Sequence, residues 1–188
     1  MILPALEIIR SELSRAITAE LGNIPAELAN IGEILSNNTN HSDTNIIMSL
    51  INLEENRVSR DPQNYVRDGS EFLLKNPAIN LNISVLFTPY IPNGYGLSIK
   101  ILQKVIEFFQ KKYLFNHLNT PDLDPGIEKL ILEMVSLNFE QLQQLWSMLG
   151  GKYQPSILYK IRMVTIDSVT DQRSALIKEI EIHHHHKR

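Results

Sequence analysis

The spacing of apolar residues along this chain changes from a helical to a strand period several times. Near the N-terminus, apolar residues recur every three or four positions from Leu6 to Ile17, opposite charged and polar positions. Pro4 is acceptable in a first helical turn, and Gly22 follows the last periodic residue. The pattern predicts an amphipathic helix that ends near Gly22.

A second helix is predicted after the turn sequence PYIPNGYG at 89–96. Its apolar positions fall on one face, which is expected to lie on the sheet: Leu102, Val105, Ile106, Phe109 and Tyr113. The NGYG sequence of this turn lacks the Lys and the Ser or Thr of a phosphate-binding loop. It is therefore interpreted as a turn before a helix.

The third predicted helix has signals at both ends. Asn138 and Gln141 have the spacing of a capping box at its start. Gly150 and Gly151 suit a left-handed cap at its end, and Pro155 prevents its continuation. The apolar face consists of Phe139, Leu142, Leu145, Trp146 and Leu149. Core packing is the favoured interpretation of Trp146, and a binding anchor is the alternative.

Five stretches with other periods favour strands. The clearest alternation of apolar and polar residues runs over 79–88, and a second runs over 157–166, where Lys160 and Arg162 share the mixed face. The run at 46–53 is apolar on both faces, which suits a strand covered on both sides or a short buried helix. Residues 127–137 favour a strand. A last strand is predicted at 174–182, returning from 157–166 through a polar loop at 168–173.

Two polar stretches interrupt these elements. Residues 36–44 are rich in Asn and Ser and are expected to form an exposed loop. Residues 54–77 carry many charges, two prolines and an Asp-Gly pair, and loops of this length usually have a function or contain elements of their own. We interpret 54–77 as a contact arm, with Arg57, Arg60, Tyr65 and Arg67 as candidate contact residues.

The order helix, strand, excursion, strand, helix, strand, helix, hairpin predicts an α+β fold. We expect a single domain over 1–182, with a mixed, mostly antiparallel sheet packed by helices, and a His-rich tail at 183–188. A chain of 188 residues is long enough to bury a large core without a metal or a disulfide.

Charge and composition narrow the function classes. The net charge of -3 argues against binding nucleic acid by broad phosphate neutralisation. The absence of cysteine excludes thiol catalysis and Cys-based metal sites. No run approaches the roughly 18 apolar residues of a membrane span, and the N-terminus lacks a signal-peptide core. The chain is expected to be made as a soluble cytosolic protein.

The four consecutive histidines, His183, His184, His185 and His186, form the main candidate for metal chemistry. They fit a tag remnant, a native tail held by a partner, or a metal site, and the last is disfavoured because no further ligand is near in sequence. Asp122 and Asp124 favour a turn over a calcium loop. His41 and His117 lie in polar loops and are expected to be solvated. Lys160 and Arg162 fit a solvated or an intersubunit edge.

The segment LQQLWSMLGGKYQPSILYKIRMVTID, from Leu142 to Asp167, resembles the tail terminator, or cap, family of contractile injection systems. Its structural motif contains Trp146, Gly150, Pro155 and Tyr159. A fainter resemblance spans nearly the whole chain and departs at the Asn-rich 36–45 loop and the histidine tail.

The resemblance implies a phage-tail-terminator-like fold and a structural role. Such proteins form a homohexameric ring on the inner tube, contact the last sheath layer and stop polymerisation. It implies no catalytic residue, cofactor or metal, no nucleic-acid partner and no membrane insertion, in a particle that is either extracellular or membrane-anchored. The alternatives are a monomeric adaptor that links tube or cargo to another component, and a metal-dependent enzyme that uses the histidine tail.

Overall fold

The computed structural model describes residues 1–37, 45–56, 65–68, 71–76, 80–165 and 168–174. The helices in these ranges are α1 (Ile2–Leu21), α2 (Ile31–Asn37), α3 (Tyr95–Lys111) and α4 (Phe139–Met148). The strands are β1 (Ala26–Leu28), β2 (Asn45–Glu55), β3 (Tyr65–Asp68), β4 (Glu71–Asn76), β5 (Leu81–Tyr90), β6 (Leu114–Asn116), β7 (Ile127–Val135), β8 (Ile157–Thr165) and β9 (Ser168–Ser174).

The larger sheet has six strands in the order β1-β2-β5-β8-β7-β6. All neighbouring strands in it are antiparallel except β1 and β2, which are parallel. The register places Glu55 opposite Leu81 and Leu81 opposite Met163, so these three strand ends lie at one end of the sheet. The expected α+β fold with a mixed, mostly antiparallel sheet is confirmed.

One face of this sheet is covered by α1 and α3. The buried side of α1 consists of Ala5, Leu6, Ile9, Leu13 and Ile17, and that of α3 of Ser98, Ile101, Val105 and Phe109. They pack with sheet residues that include Phe87 and Tyr159 in a single hydrophobic cluster, the first core. The alternating apolar residues of β5 and β8 therefore point into this core, as their period of two predicts.

The opposite face carries a smaller cluster, the second core, under α2 and α4. It contains Ile31, Ile34, Leu35, Ile47, Leu86, Leu145 and Trp146. The Asn138 capping box of α4 is formed, since Gln141 N donates to Asn138 Oδ1 and Asn138 N donates to Gln141 Oε1. The first half of β2 is covered on both sides, as expected, whereas Leu50 and Leu53 further along the strand are exposed.

A second sheet has three antiparallel strands in the order β3-β4-β9. The chain divides into two compact units, one of Met1–Arg57 with Ile79–Ile166 and the other of Val58–Ala78 with Asp167–Arg188. The 54–77 excursion thus contains a hairpin of its own, formed by β3 and β4. Loops of this length usually have a function or contain elements of their own, and this excursion contains two strands.

The predicted loop at 168–173 is wrong, because these residues belong to β9 and pair with β4 rather than returning along β8. Ladder hydrogen bonds use the backbone, so polar side chains do not prevent a strand where a partner edge is available. The predicted last strand at 174–182 lies outside the described residues after Ser174.

Short elements between the predicted ones were not anticipated from the pattern: β1, α2 and β6. The 36–44 segment lies outside the described residues except for Ser36 and Asn37, which complete α2 rather than a loop. Three- and seven-residue elements contain too few positions to show a period.

Two predicted helix faces are partly wrong. In α3 the buried arc is centred on Ile101, Val105 and Phe109, and Ile106 and Tyr113 are exposed. In α4 the first residue, Phe139, is 92% exposed. The apolar arc of each helix is wider than the arc that its sheet contact covers.

Candidate interaction surfaces

Lys160 and Arg162 lie on the uncovered half of the second sheet face. Their strand, β8, is between β5 and β7, so the expectation of an edge is wrong. Arg162 Nη2 donates to Glu133 Oε1 on β7 at 2.7 Å, and Lys160 Nζ is 3.8 Å from Glu54 Oε2 on β2. The register explains the pairing, since Lys160 lies directly opposite Glu133, and Arg162, two pairs further along and opposite Ile131, is a diagonal neighbour of Glu133. This part of the face is a solvated strip of alternating charge.

The candidate contact residues of the 54–77 arm are described only in part. Tyr65 and Arg67 lie in β3, opposite Leu74 and Phe72 of β4, and alternate positions of one strand share a face. Arg57, Arg60 and His183 to His186 lie outside the described residues. The structure therefore places Tyr65 and Arg67 at alternate positions of one strand, and the other candidates stay predictions.

The motif of the helix-to-strand corner has a structural role in this protein. Trp146 is buried in the second core, and its ring centroid is 5.8 Å from that of Tyr153 in an edge-to-face arrangement. Gly150 and Gly151 both have positive φ, at 100° and 77°. Pro155 is buried. The predicted core role of Trp146 and the left-handed helix end are confirmed.

Tyr159 belongs to an aromatic cluster of the first core. Its ring lies 4.8 Å from that of Phe109 and 5.7 Å from that of Phe87, and these two phenylalanines are 5.2 Å apart. Burial raises the pKa of Tyr159 above its ordinary value. The residue is thus a packing element at the centre of the sheet.

Lys104 of α3 forms ion pairs both within α3 and with α1. Lys104 Nζ contacts Glu107 and Glu20 at 2.7 Å each. The hydrogen bonds to Glu107 and then to Glu20 raise the pKa of Lys104 above its ordinary value. The bond from Lys104 and a second from Gln103 lower the pKa of Glu107. The side chains of Lys104, Glu107 and Glu20 are 26%, 32% and 48% exposed, so solvent screens these contacts and they add little to the stability of the fold.

An exposed apolar stripe runs along α3 beside the arc that packs on the sheet. We define the α3 ridge as Tyr95, Ile99, Leu102 and Ile106, which share one helical face. Ile99 is 50% exposed, and Met134 of the neighbouring β7 is 55% exposed. A groove of about 320 Å³ lies between Ile106 and Met134, with Tyr159 in its lining.

A second apolar surface lies at the opposite edge of the sheet. β1 covers β2 only at Ile46 to Met48, and beyond that point the outer edge of β2 faces a groove of about 380 Å³. We define the edge groove by Leu3, Leu28, Met48, Leu50, Ile51 and Met148. Leu3 of α1 is 63% exposed and Met148 of α4 is 74% exposed.

The spacing of apolar residues in the sequence indicated the α3 ridge but not the edge groove. The apolar arc predicted for α3 included Leu102, Ile106 and Tyr113, more than one sheet contact can bury. The edge groove had no such signal, because Leu3, Leu50 and Met148 come from three elements that are distant in sequence.

A metal site is not assembled in the part of the chain that is described. It contains no group of three or more His, Asp or Glu side chains that could hold a metal ion. Asp124 Oδ1 accepts from Gly126 N at 2.7 Å, which confirms the turn interpretation. His117 is exposed, and its Nε2 also lies 2.9 Å from Ile127 O, so it is more than a solvated loop residue. None of the described helices has the length and apolarity of a membrane span.

Comparison with known proteins gives one family and two related folds. The model of the Pvc16 N-terminal domain family matches residues 5–179. The sheath/tube terminator of the extracellular contractile injection system PVC, in its extended state, superposes with a TM-score of 0.65 at 14% identity. The tube-terminating cap of the anti-feeding prophage gives 0.62 at 13% identity. No curated protein sequence matches the chain.

The two structural likenesses extend over most of this chain and over a smaller part of the solved proteins. They cover 100% of this chain and 64% of the PVC terminator, and 93% of this chain and 60% of the prophage cap. The chain therefore spans less than two thirds of the length of either. At these identities the likeness is one of fold.

Proposed function

Because this chain belongs to the Pvc16 N-terminal domain family, we propose that it is a structural cap that terminates the inner tube of a contractile injection system. The resemblance to tail terminators that residues 142–167 predict is confirmed by this membership. The observation that carries the proposal is the likeness in fold to two tube terminators over nearly the whole chain. The proposed role is structural rather than enzymatic.

A cap of this kind has a simple physical logic. Tube and sheath subunits stack through heterologous contacts that do not close, so the open end of the tube keeps accepting subunits. Growth stops when a ring of different subunits binds that end and offers no equivalent face beyond it. A sheet packed by helices over one face and part of the other, with exposed apolar and charged surfaces around it, is suited to this task because it keeps its shape while several neighbours bind.

The finer features of the proposal concern the ring and its contacts. We propose a homohexamer of the 1–182 terminator-like domain on the inner tube, in contact with the last sheath layer. The hairpin residues Tyr65 and Arg67, with Arg57, Arg60 and the tail His183 to His186, are proposed partner contacts. The chain is proposed to be made in the cytoplasm and to become part of an extracellular or membrane-anchored particle.

Deletion of the gene, followed by measurement of tube length by electron microscopy, tests the capping role. The expected result is tubes of abnormal length or low stability, restored by the wild-type gene. Particles of normal length and yield without the chain would contradict the proposal. Light scattering with and without tube protein separates a ring from a monomeric adaptor, because the ring adds the mass of several copies of the chain whereas the adaptor adds the mass of one.

A further inference from the structure

On the premise that the chain acts as a ring-shaped cap, we infer that neighbouring subunits meet head to tail, with the α3 ridge of one subunit in the edge groove of the next. The partner at both surfaces is therefore a second copy of this chain. The inference names the subunit interface, which the proposed function leaves open.

The α3 ridge has the properties of a protruding interface element. Tyr95, Ile99 and Ile106 are exposed on one face of a helix whose neighbouring face is already buried on the sheet. α3 already packs on the sheet and contacts α1, and this apolar stripe is left over from both contacts. Met134 extends the same apolar surface onto β7. Contiguous apolar surface of this kind marks interaction sites in soluble proteins.

The edge groove has the complementary form of a concave acceptor. It lies where β1 ends and β2 continues, between α1 on one side and the end of α4 on the other. The exposed side chains of Leu3, Leu50 and Met148 form its rim. An apolar helix face placed there would cover the apolar side chains of the rim beside the open edge of β2.

The positions of the two surfaces favour a head-to-tail contact over a two-fold one. The edge groove is at the β1-β2 edge of the sheet. The α3 ridge lies instead beside β7 and β8, because the groove next to its Ile106 is lined by Leu132 of β7 and Tyr159 of β8. β5 lies between the two pairs of strands in the sheet order. A two-fold dimer joins one patch to itself, while a ring needs two different patches that fit each other. Two separate apolar patches, one convex and one concave, meet that requirement.

Charge complementarity supports the same pairing. Residues 16–56 contain no Lys or Arg and six acidic residues, which are Glu20, Glu27, Glu33, Asp43, Glu54 and Glu55. Of these, Glu27, Glu33, Glu54 and Glu55 lie in β1, α2 and β2 at the edge that surrounds the groove, where Glu54 also faces Lys160, whereas Glu20 lies on α1 and pairs with Lys104 of α3 in the same subunit. α3 instead carries Lys100, Lys104 and Lys111 against Glu107. Among the described residues, neither Lys100 nor Lys111 forms an ion pair. Opposite charge around the two patches favours contact of the α3 ridge with the edge groove over contact of either patch with its own copy.

Cysteine crosslinking tests the contact directly, because the natural chain contains no cysteine. The double variant Tyr95→Cys with Met148→Cys is treated with a short bifunctional maleimide, alone and with tube protein. A head-to-tail contact predicts a ladder of crosslinked chains that ends at the ring, and little crosslinking of either single variant. The matched control is Phe139→Cys with Met148→Cys, since Phe139 is also exposed but outside both surfaces. It should give no ladder.

Charged substitutions in the same two surfaces give an independent measure. Ile99→Glu places an acid against the acidic edge, and Leu3→Lys places a base against the basic helix. Each should lower the fraction of chains in rings by about tenfold or more, as interface hot spots do. Both positions are at least half exposed, so circular dichroism should show an unchanged fold, and the thermal midpoint should be unchanged at concentrations where the wild-type chain is monomeric.

The outcomes separate this inference from the proposed function. Rings that persist in both charged variants, or single-cysteine variants that crosslink as dimers, would overturn the head-to-tail interface and leave the cap intact. A wild-type chain that remains monomeric alone and on the tube would overturn the ring itself, and this interface with it.

Discussion

The two faces of the six-stranded sheet differ in how completely helices cover them. The first face is covered by α1 and α3, and its core contains an aromatic cluster of Phe87, Phe109 and Tyr159. The second face is covered only over part of its length, by α2 and α4, and the remainder carries the solvated pairs of Lys160 and Arg162. The same strands supply both faces.

This difference shows how one sheet can be both a scaffold and a surface. Burial of the aromatic cluster holds β5 and β8 in a fixed register, and the opposite side of those strands can then carry charge. Exposed ion pairs add little to stability. Their removal should therefore change the surface without changing the fold, whereas changes in the first core should affect the whole sheet.

The largest effect is expected for Phe87→Ala in the first core. Phe87 is fully buried between Phe109 and Tyr159. Removing its ring should lower the free energy of unfolding by about 3–5 kcal/mol, measured by urea denaturation. The control is Phe139→Ala, which removes a ring that is almost fully exposed and should change stability by less than about 0.5 kcal/mol. Similar losses in the two variants would show that the first core is not the main source of stability.

A smaller loss is expected for Leu86→Ala in the second core. Leu86 is buried on the face opposite Phe87, next to α2 and α4. The loss should fall at the lower end of about 2–5 kcal/mol, because this cluster is small and its neighbours can move into the space. Trp146, the single tryptophan, reports on this core by fluorescence. Its unfolding transition should coincide with that of circular dichroism, and separate transitions would show that the two faces unfold independently.

Gly150→Ala tests the corner after α4. This substitution should lower the free energy of unfolding by about 1–2 kcal/mol. The φ of Gly150 is 100°, in a region that L-residues other than glycine rarely adopt. The matched control is Gly96→Ala in α3, where an added methyl group would meet no atom within 4 Å. That change should raise stability by about 0.4–1 kcal/mol, because it reduces the freedom of the unfolded chain. Equal effects of the two substitutions on the thermal midpoint would contradict this account of the corner.

The smallest effect is expected for Arg162→Met on the uncovered half of the second face. Arg162 loses its 2.7 Å bond to Glu133, but both side chains are more than a third exposed, so the change should be within about 0.2–1 kcal/mol. A double-mutant cycle with Glu133→Gln measures the coupling. It should decrease at high salt, because ions screen exposed pairs. A coupling well above this range, insensitive to salt, would mean that the strip is part of the core.

Long elements with a clear period were predictable from the chain alone. The strand alternation at Ile157 to Met163, the capping box at Asn138 and the glycine stop at Gly150 each depend on a few neighbouring residues. Local hydrogen bonding and backbone preference determine such features, so they survive in the fold. The polar strand β9 was not predictable in the same way, because its pairing with β4 depends on a partner nearly a hundred residues earlier.

The candidate surfaces were predictable only in part. The wide apolar arc of α3 was visible as a pattern, but which part of it remains exposed depends on where the helix lies on the sheet. The ion pairs of Lys160 and Arg162 depend on the register of β8 with its neighbours, and the edge groove depends on where β1 ends. No segment of the sequence contains these relations by itself.

By itself, the sequence determined the α+β class, the ends of the main helices and the terminator-like signature, because these arise from interactions between residues close in the chain. The tertiary structure decided which face each strand presents, that β8 is central rather than at an edge, and that a ridge and a groove lie on different sides of one sheet. The physical reason is that register, strand order and coverage come from contacts between distant segments. Those contacts choose which apolar residues are buried and which remain for a partner.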